Sequence, residues 1–93
     1  MSEHDDSEES FAEDTLIQAI ENQIESENPP AARAVFNKLT QVGYEREDAL
    51  HLMALVLAHE IEAMLADDRP FNGEWYEQAL RALPTLPDGT VAE

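Results

Sequence analysis

Four stretches of the chain repeat apolar residues at helical spacing, and no stretch alternates long enough to make a strand. The first places Leu16, Ile17, Ile20 and Ile24 on one side, which predicts a helix over 13–27. Asp14 and Thr15 suit its first turn. Asn28-Pro29-Pro30 ends it, because the residue before a proline is pushed out of the α region. The second stretch carries Ala32, Val35, Phe36, Leu39 and Val42, predicting a helix over 30–42. Proline is tolerated in its first turn, where the missing N–H has no partner to lose. Gly43 follows at the position that takes a left-handed residue, and Tyr44 is placed to fold back onto Leu39 or Thr40.

The third stretch is the most informative. It predicts a helix over 45–67, roughly 33 Å long at about 1.5 Å per residue. Glu45, Glu47 and Asp48 suit the positive end of its dipole. Leu50, Leu52, Met53, Leu55, Val56, Leu57, Ile61, Met64 and Leu65 leave its middle apolar almost all round. Such a helix needs cover on every side. Either the other helices wrap it, or a second copy of the chain covers one face. Asp68-Arg69-Pro70 breaks it. Asn72 then caps a fourth helix over 73–83, whose stripe is Trp75 or Tyr76 with Ala79, Leu80 and Leu83. Pro84, Pro87 and Gly89 end the order.

Charge changes the picture at the N-terminus. The net charge is −16. Residues 1–14 hold seven of the 21 acids and no Lys or Arg. A like-charge run with one aromatic residue buries too little to offset its ordering entropy, so 1–12 reads as a disordered acidic tail. The helical body is far less extreme, and its second helix, with Arg33 and Lys38 and no acid, is locally basic. An acidic surface argues against direct binding to nucleic acid or to anionic membranes. The longest uninterrupted apolar run, Leu52 to Ala58, is short for a bilayer span. No basic-then-apolar start reads as a signal peptide. Without cysteine there are no disulfides or thiolate sites. A cytoplasmic protein is expected.

Candidate chemistry is sparse. His59-Glu60 begins like the zinc-protease motif, but Ala63 stands where the second histidine is required. Asp48 and His51 have the i, i+3 spacing of a carboxylate–histidine metal pair. His51 and His59 lie about 80° apart around the helix and do not share one ion unaided. Ser2, Ser7 and Ser10 lie in the acidic tail, Ser26 has no histidine nearby in sequence, and no glycine-rich phosphate loop exists. No catalytic, cofactor or metal residue is assigned on this basis, and an enzyme is not expected. Phe71, Trp75 and Tyr76, with Arg69 beside them, form an aromatic cluster at the corner between the third and fourth helices. It either seals that end of the fold or binds a partner, since aromatic residues and arginine are favoured interface anchors.

The pieces "AIENQI" at 19–24, "LTQVGYEREDALHLM" at 39–53, "LAHEIEAML" at 57–65 and "RPFNGEWYEQALRALP" at 69–84 resemble a family of small uncharacterised bacterial all-helical proteins, a domain of unknown function. The resemblance covers about residues 16–84. It implies the same helix map and a bacterial source, and brings no activity or site with it. The segment from Leu39 to Ala49 is also similar to the helix–loop–helix of ubiquitin-associated-type domains, from which the long third helix departs.

The expected fold is all-α. A small four-helix bundle over 13–84 surrounds one long central helix at about 45–67, with the acidic tail over 1–12 and a flexible tail over 85–93. The expected function is a non-enzymatic protein–protein interaction module without a cofactor. Its partner is an unknown protein or a second copy of the chain, and its candidate patch is Arg69, Phe71, Trp75 and Tyr76. One alternative is a small metal-dependent enzyme or metal-binding bundle using Asp48, His51 and His59. The other is an acidic mimic that binds a basic protein.

Overall fold

The computed structural model describes residues 2–87, with side chains described from Asp14 onward. Four helices follow one another: α1 (Ser2–Ser26), α2 (Pro30–Gln41), α3 (Arg46–Asp67) and α4 (Gly73–Ala82). No strand occurs among the described residues. The predicted boundaries of the last three helices hold to within a residue. The backbone of α1, however, begins at Ser2 and runs through the acidic segment read as a disordered tail. The side chains of that segment lie outside the described residues, as do positions 88–93 of the expected C-terminal tail.

Local chemistry explains how three helices stop. Asn28 N–H donates to Gln23 O at 3.1 Å, Tyr44 N–H to Leu39 O at 3.0 Å, and Arg69 N–H to Met64 O at 3.1 Å. Each bond reaches five residues back, and each follows a residue with positive φ: Glu27 at 54°, Gly43 at 114° and Asp68 at 53°. This left-handed closure satisfies carbonyls that the helix end would otherwise leave bare. At α1 and α3 a proline lies two residues beyond, which holds the residue between in extended backbone. Glycine takes the left-handed turn freely; Glu27 and Asp68 do not. Asp68→Gly is therefore expected to stabilise the protein. Relief of a left-handed penalty of roughly 1–2 kcal/mol outweighs the entropic cost of glycine, roughly 0.5–1 kcal/mol. The midpoint of urea unfolding should rise; an unchanged or lower midpoint counts against this reading.

α3 is the central helix and packs against α1, α2 and α4. Its inward register of Ala49, Leu50, Met53, Val56 and Leu57 is buried. Ile20 from α1, Ala32, Val35 and Leu39 from α2, and Tyr76, Leu80 and Leu83 from the last helix and its end meet it there. Ala31 and Ala32 are wholly buried, and their small size lets α2 approach closely. Between positions 49 and 61 no residue of α3 is exposed. The other three helices thus leave no residue of this stretch fully exposed, while Leu52, Leu55 and Ile61 stay half-buried. Exposure returns at Glu62, and the apolar Leu65 is 71% exposed near the end of the helix. By length and composition alone, α3 contains an 18-residue window apolar enough to cross a membrane, a property that the core helix of a folded body shares; 39% of that window is buried within the fold.

Two contacts fix α4. Lys38 Nζ of α2 donates to Arg81 O at 2.8 Å, placing a cation at the negative end of the helix. Asn72 Oδ1 accepts from Trp75 N–H at 3.1 Å, the expected N-terminal cap. Beyond α4, Thr85 N–H donates to Ala82 O at 2.9 Å, and Leu86 packs partly buried against the core.

Candidate functional site

The corner between α3 and α4 holds the residues of interest, and the structure divides them between two tasks. Arg69 faces inward. Its Nη1 and Nη2 donate to the two carboxylate oxygens of Glu60 at 2.8 and 3.2 Å. Glu60 is 1% exposed and stands on the apolar register of α3, one turn beyond Val56. Its Oε2 also accepts the backbone N–H of Asn72 at 2.7 Å. The Arg69 fork meets a carboxylate in two-point geometry, the strong form of this pair. Arg69 further donates to Pro70 O at 2.9 Å and lies 3.5 Å from Asp67. The hydrogen bonds from Arg69 hold the Glu60 carboxyl below its ordinary 4.5; burial pushes the other way, and the Asn72 N–H and the charges of Arg69 and His59 add to the lowering. One carboxylate therefore ties the middle of α3 to the connection and to the start of α4.

Tyr76 also faces inward. It is 2% exposed, and its hydroxyl donates to Gln23 Oε1 of α1 at 2.8 Å. Burial raises its phenol to about 12, against the opposing Gln23 hydrogen bond. Phe71 meets the Tyr76 ring edge-on at 5.3 Å and remains 41% exposed. Of the four predicted patch residues, Arg69 and Tyr76 thus hold the fold, while Phe71 and Trp75 reach the surface.

Trp75 lies one residue from Tyr76, about 100° around α4. Its indole stacks on the His59 ring of α3 at 5.3 Å, with 23° between planes. Both rings line a groove of about 470 Å³, together with Gln78, Ala79 and Ala82 of α4 and positions 85–87. Sequence reasoning did not assign His59 to Trp75 or Glu60 to Arg69. The second pairing left a trace: a lone glutamate in a buried register needs a cation, and Arg69 is the next base along the chain.

Asp48 and His51 line a different groove, between α1 and the start of α3, with Ile17, Glu21 and Arg46. The structure therefore separates His51 from His59. No group of three or more His, Asp or Glu side chains that would hold a metal ion gathers among the described residues. A third groove, between α1 and α2, contains Arg33 and Arg46. Arg46 lies 5.5 Å over the Phe36 ring and 3.3 Å from Glu21, and Arg33 lies 3.3 Å from Glu27. These exposed pairs contribute little to stability.

Comparison of the chain with protein-family models, with curated proteins and with solved structures finds no match in any of the three.

Proposed function

We propose that this chain is a non-enzymatic helical interaction module. In this reading it is a small four-helix bundle with a solubilising acidic tail over 1–12, working in a bacterial cytoplasm and belonging with the small all-helical proteins its motifs resemble. Its task is to hold a second protein at the α3–α4 corner. The observation that carries the proposal is Trp75, kept half-buried over an open groove by its stack on His59. Keeping a large aromatic ring at an open surface forgoes burial that the core would reward, and such rings are the favoured anchors of protein interfaces. The division of labour at the corner supports the same reading. The buried ionisable groups, Glu60 and Tyr76, are engaged with Arg69, Asn72 and Gln23, so their chemistry serves the fold.

Native mass spectrometry of the protein isolated from its own cells at natural abundance tests this. The expected species is heavier than the 10.4 kDa chain by the mass of a different protein. Twice the chain mass would make the partner a second copy. A bare chain under all isolation conditions contradicts the proposal.

A further inference from the structure

We propose that the Trp75 groove receives a basic amphipathic helix from the partner protein. This rests on the interaction-module reading and names the partner's chemistry.

The floor of the groove follows one helix. Trp75, Gln78, Ala79 and Ala82 stand at i, i+3, i+4 and i+7 on α4, a stripe about 10 Å long. The two alanines keep this stripe low between the indole at one end and Leu86 and Pro87 at the other. A low strip, apolar but for Gln78 and bounded by bulky groups, suits side chains projecting at helical intervals. The occupant's backbone has the same implication. The described residues offer no strand edge to pair with an extended peptide. A helix satisfies its own N–H and C=O groups and can lie on an apolar strip without leaving polar groups unpaired.

Charge selects the polar face of that helix. Glu62 lies three residues beyond His59 on α3, and Glu74 lies four before Gln78 on α4; both are exposed. At the Ala82 end stand two bases, Arg81, 3.8 Å from Glu77, and Lys38, whose Nζ donates to Arg81 O, so the acids act at the Trp75 end. The chain carries a net charge of −16. A helix with Lys or Arg flanking its apolar stripe is attracted to this rim, and an acidic one is repelled.

The test uses the full-length protein and a tryptophan-free Leu/Lys peptide of roughly 15 residues, long enough to form a helix. Its leucines are spaced i, i+3, i+4 and i+7. A peptide of the same composition in shuffled order feels the same overall charge but presents no apolar stripe. Trp75 is the single tryptophan, so its emission reports occupancy of the groove. The patterned peptide should bind about tenfold or more tightly than the shuffled one. It should also shift Trp75 emission to shorter wavelength as water leaves the indole. Ala82→Arg, an exposed position on the floor, should abolish the preference while circular dichroism shows the fold intact. Equal binding of the two peptides, or an undiminished preference in Ala82→Arg, overturns the proposal. If the peptides fail while native mass spectrometry still finds a protein partner, the groove assignment falls and the interaction module stands.

Discussion

Arg69→Ala is expected to destabilise the protein more than Glu60→Leu, although both remove the same ion pair. The difference lies in what each leaves behind. Glu60 has a side chain only 2% exposed, whereas Arg69 is 32% exposed. Removing the arginine strands a buried carboxylate whose one remaining hydrogen bond is from the Asn72 N–H. Loss of one partner from a buried pair costs roughly 3–5 kcal/mol. The lower end applies here, because water reaches the side from which Arg69 is removed. Removing the glutamate instead frees a guanidinium that water can solvate, and leucine fills an apolar register.

The pH dependence supplies an independent check. In the wild type, the Glu60 carboxyl titrates below 4.5. It therefore contributes stability above the unfolded-state value, and that contribution is lost as pH falls through the lowered folded-state value. In Arg69→Ala the main cause of lowering is gone and burial remains, which moves the carboxyl upward. Acid should then relieve the variant. Its deficit relative to wild type should be largest at neutral pH and shrink once Glu60 is protonated in both. Urea unfolding of the two proteins at neutral and acid pH measures this difference and cancels the background of the other acids. A deficit that stays constant with pH would show that the Arg69–Glu60 charge pair is not its source.

Tyr76→Ala should cost about 3–5 kcal/mol, the range for truncating a large buried aromatic ring. Tyr76→Phe isolates the hydroxyl. It loses the 2.8 Å bond to Gln23, which is itself only half-buried, so the cost should be about 1 kcal/mol at neutral pH. At high pH the order reverses. The folded phenol titrates at about 12, while an unfolded tyrosine titrates near 10. Between these values the folded state keeps a proton that the unfolded state releases, so stability falls as pH rises. Phenylalanine has no such proton. The stability curves of wild type and Tyr76→Phe should cross near about pH 11, where one unit of titration offsets about 1.4 kcal/mol. Parallel curves would mean that the Tyr76 hydroxyl is not held in its buried contact with Gln23.

Much of the fold was legible because periodicity and helix punctuation act locally. Asn72 was recognisable as a cap, and the pair Pro29-Pro30 and the single Pro70 located the ends of α1 and α3. The left-handed residues at those ends were not visible, because Glu27 and Asp68 lack the glycine that marks such a turn. The stripe of α4 was ambiguous for a related reason. Trp75 and Tyr76 are adjacent aromatics, either of which completes a helical stripe. Packing chooses Tyr76, in line with Leu80 and Leu83, and turns Trp75 toward His59. The cover of α3 depended on where α1 and α4 lie, which no single helix reveals. The candidate patch was read as one surface because proximity in sequence does not show direction. Arg69 turns inward since a buried carboxylate draws it, and that demand arises only when α3 is packed.

Glu60, Arg69 and Tyr76 hold the fold, and the proposed binding rests on the groove at Trp75. Capture of partner proteins from native cells, by wild type and Ala82→Arg at matched unfolding midpoints, tests that separation most directly. Wild type should retain one protein in fixed stoichiometry, and Ala82→Arg should lose it while remaining as stable. Retention of the same protein by Ala82→Arg, in the same stoichiometry, would contradict that separation.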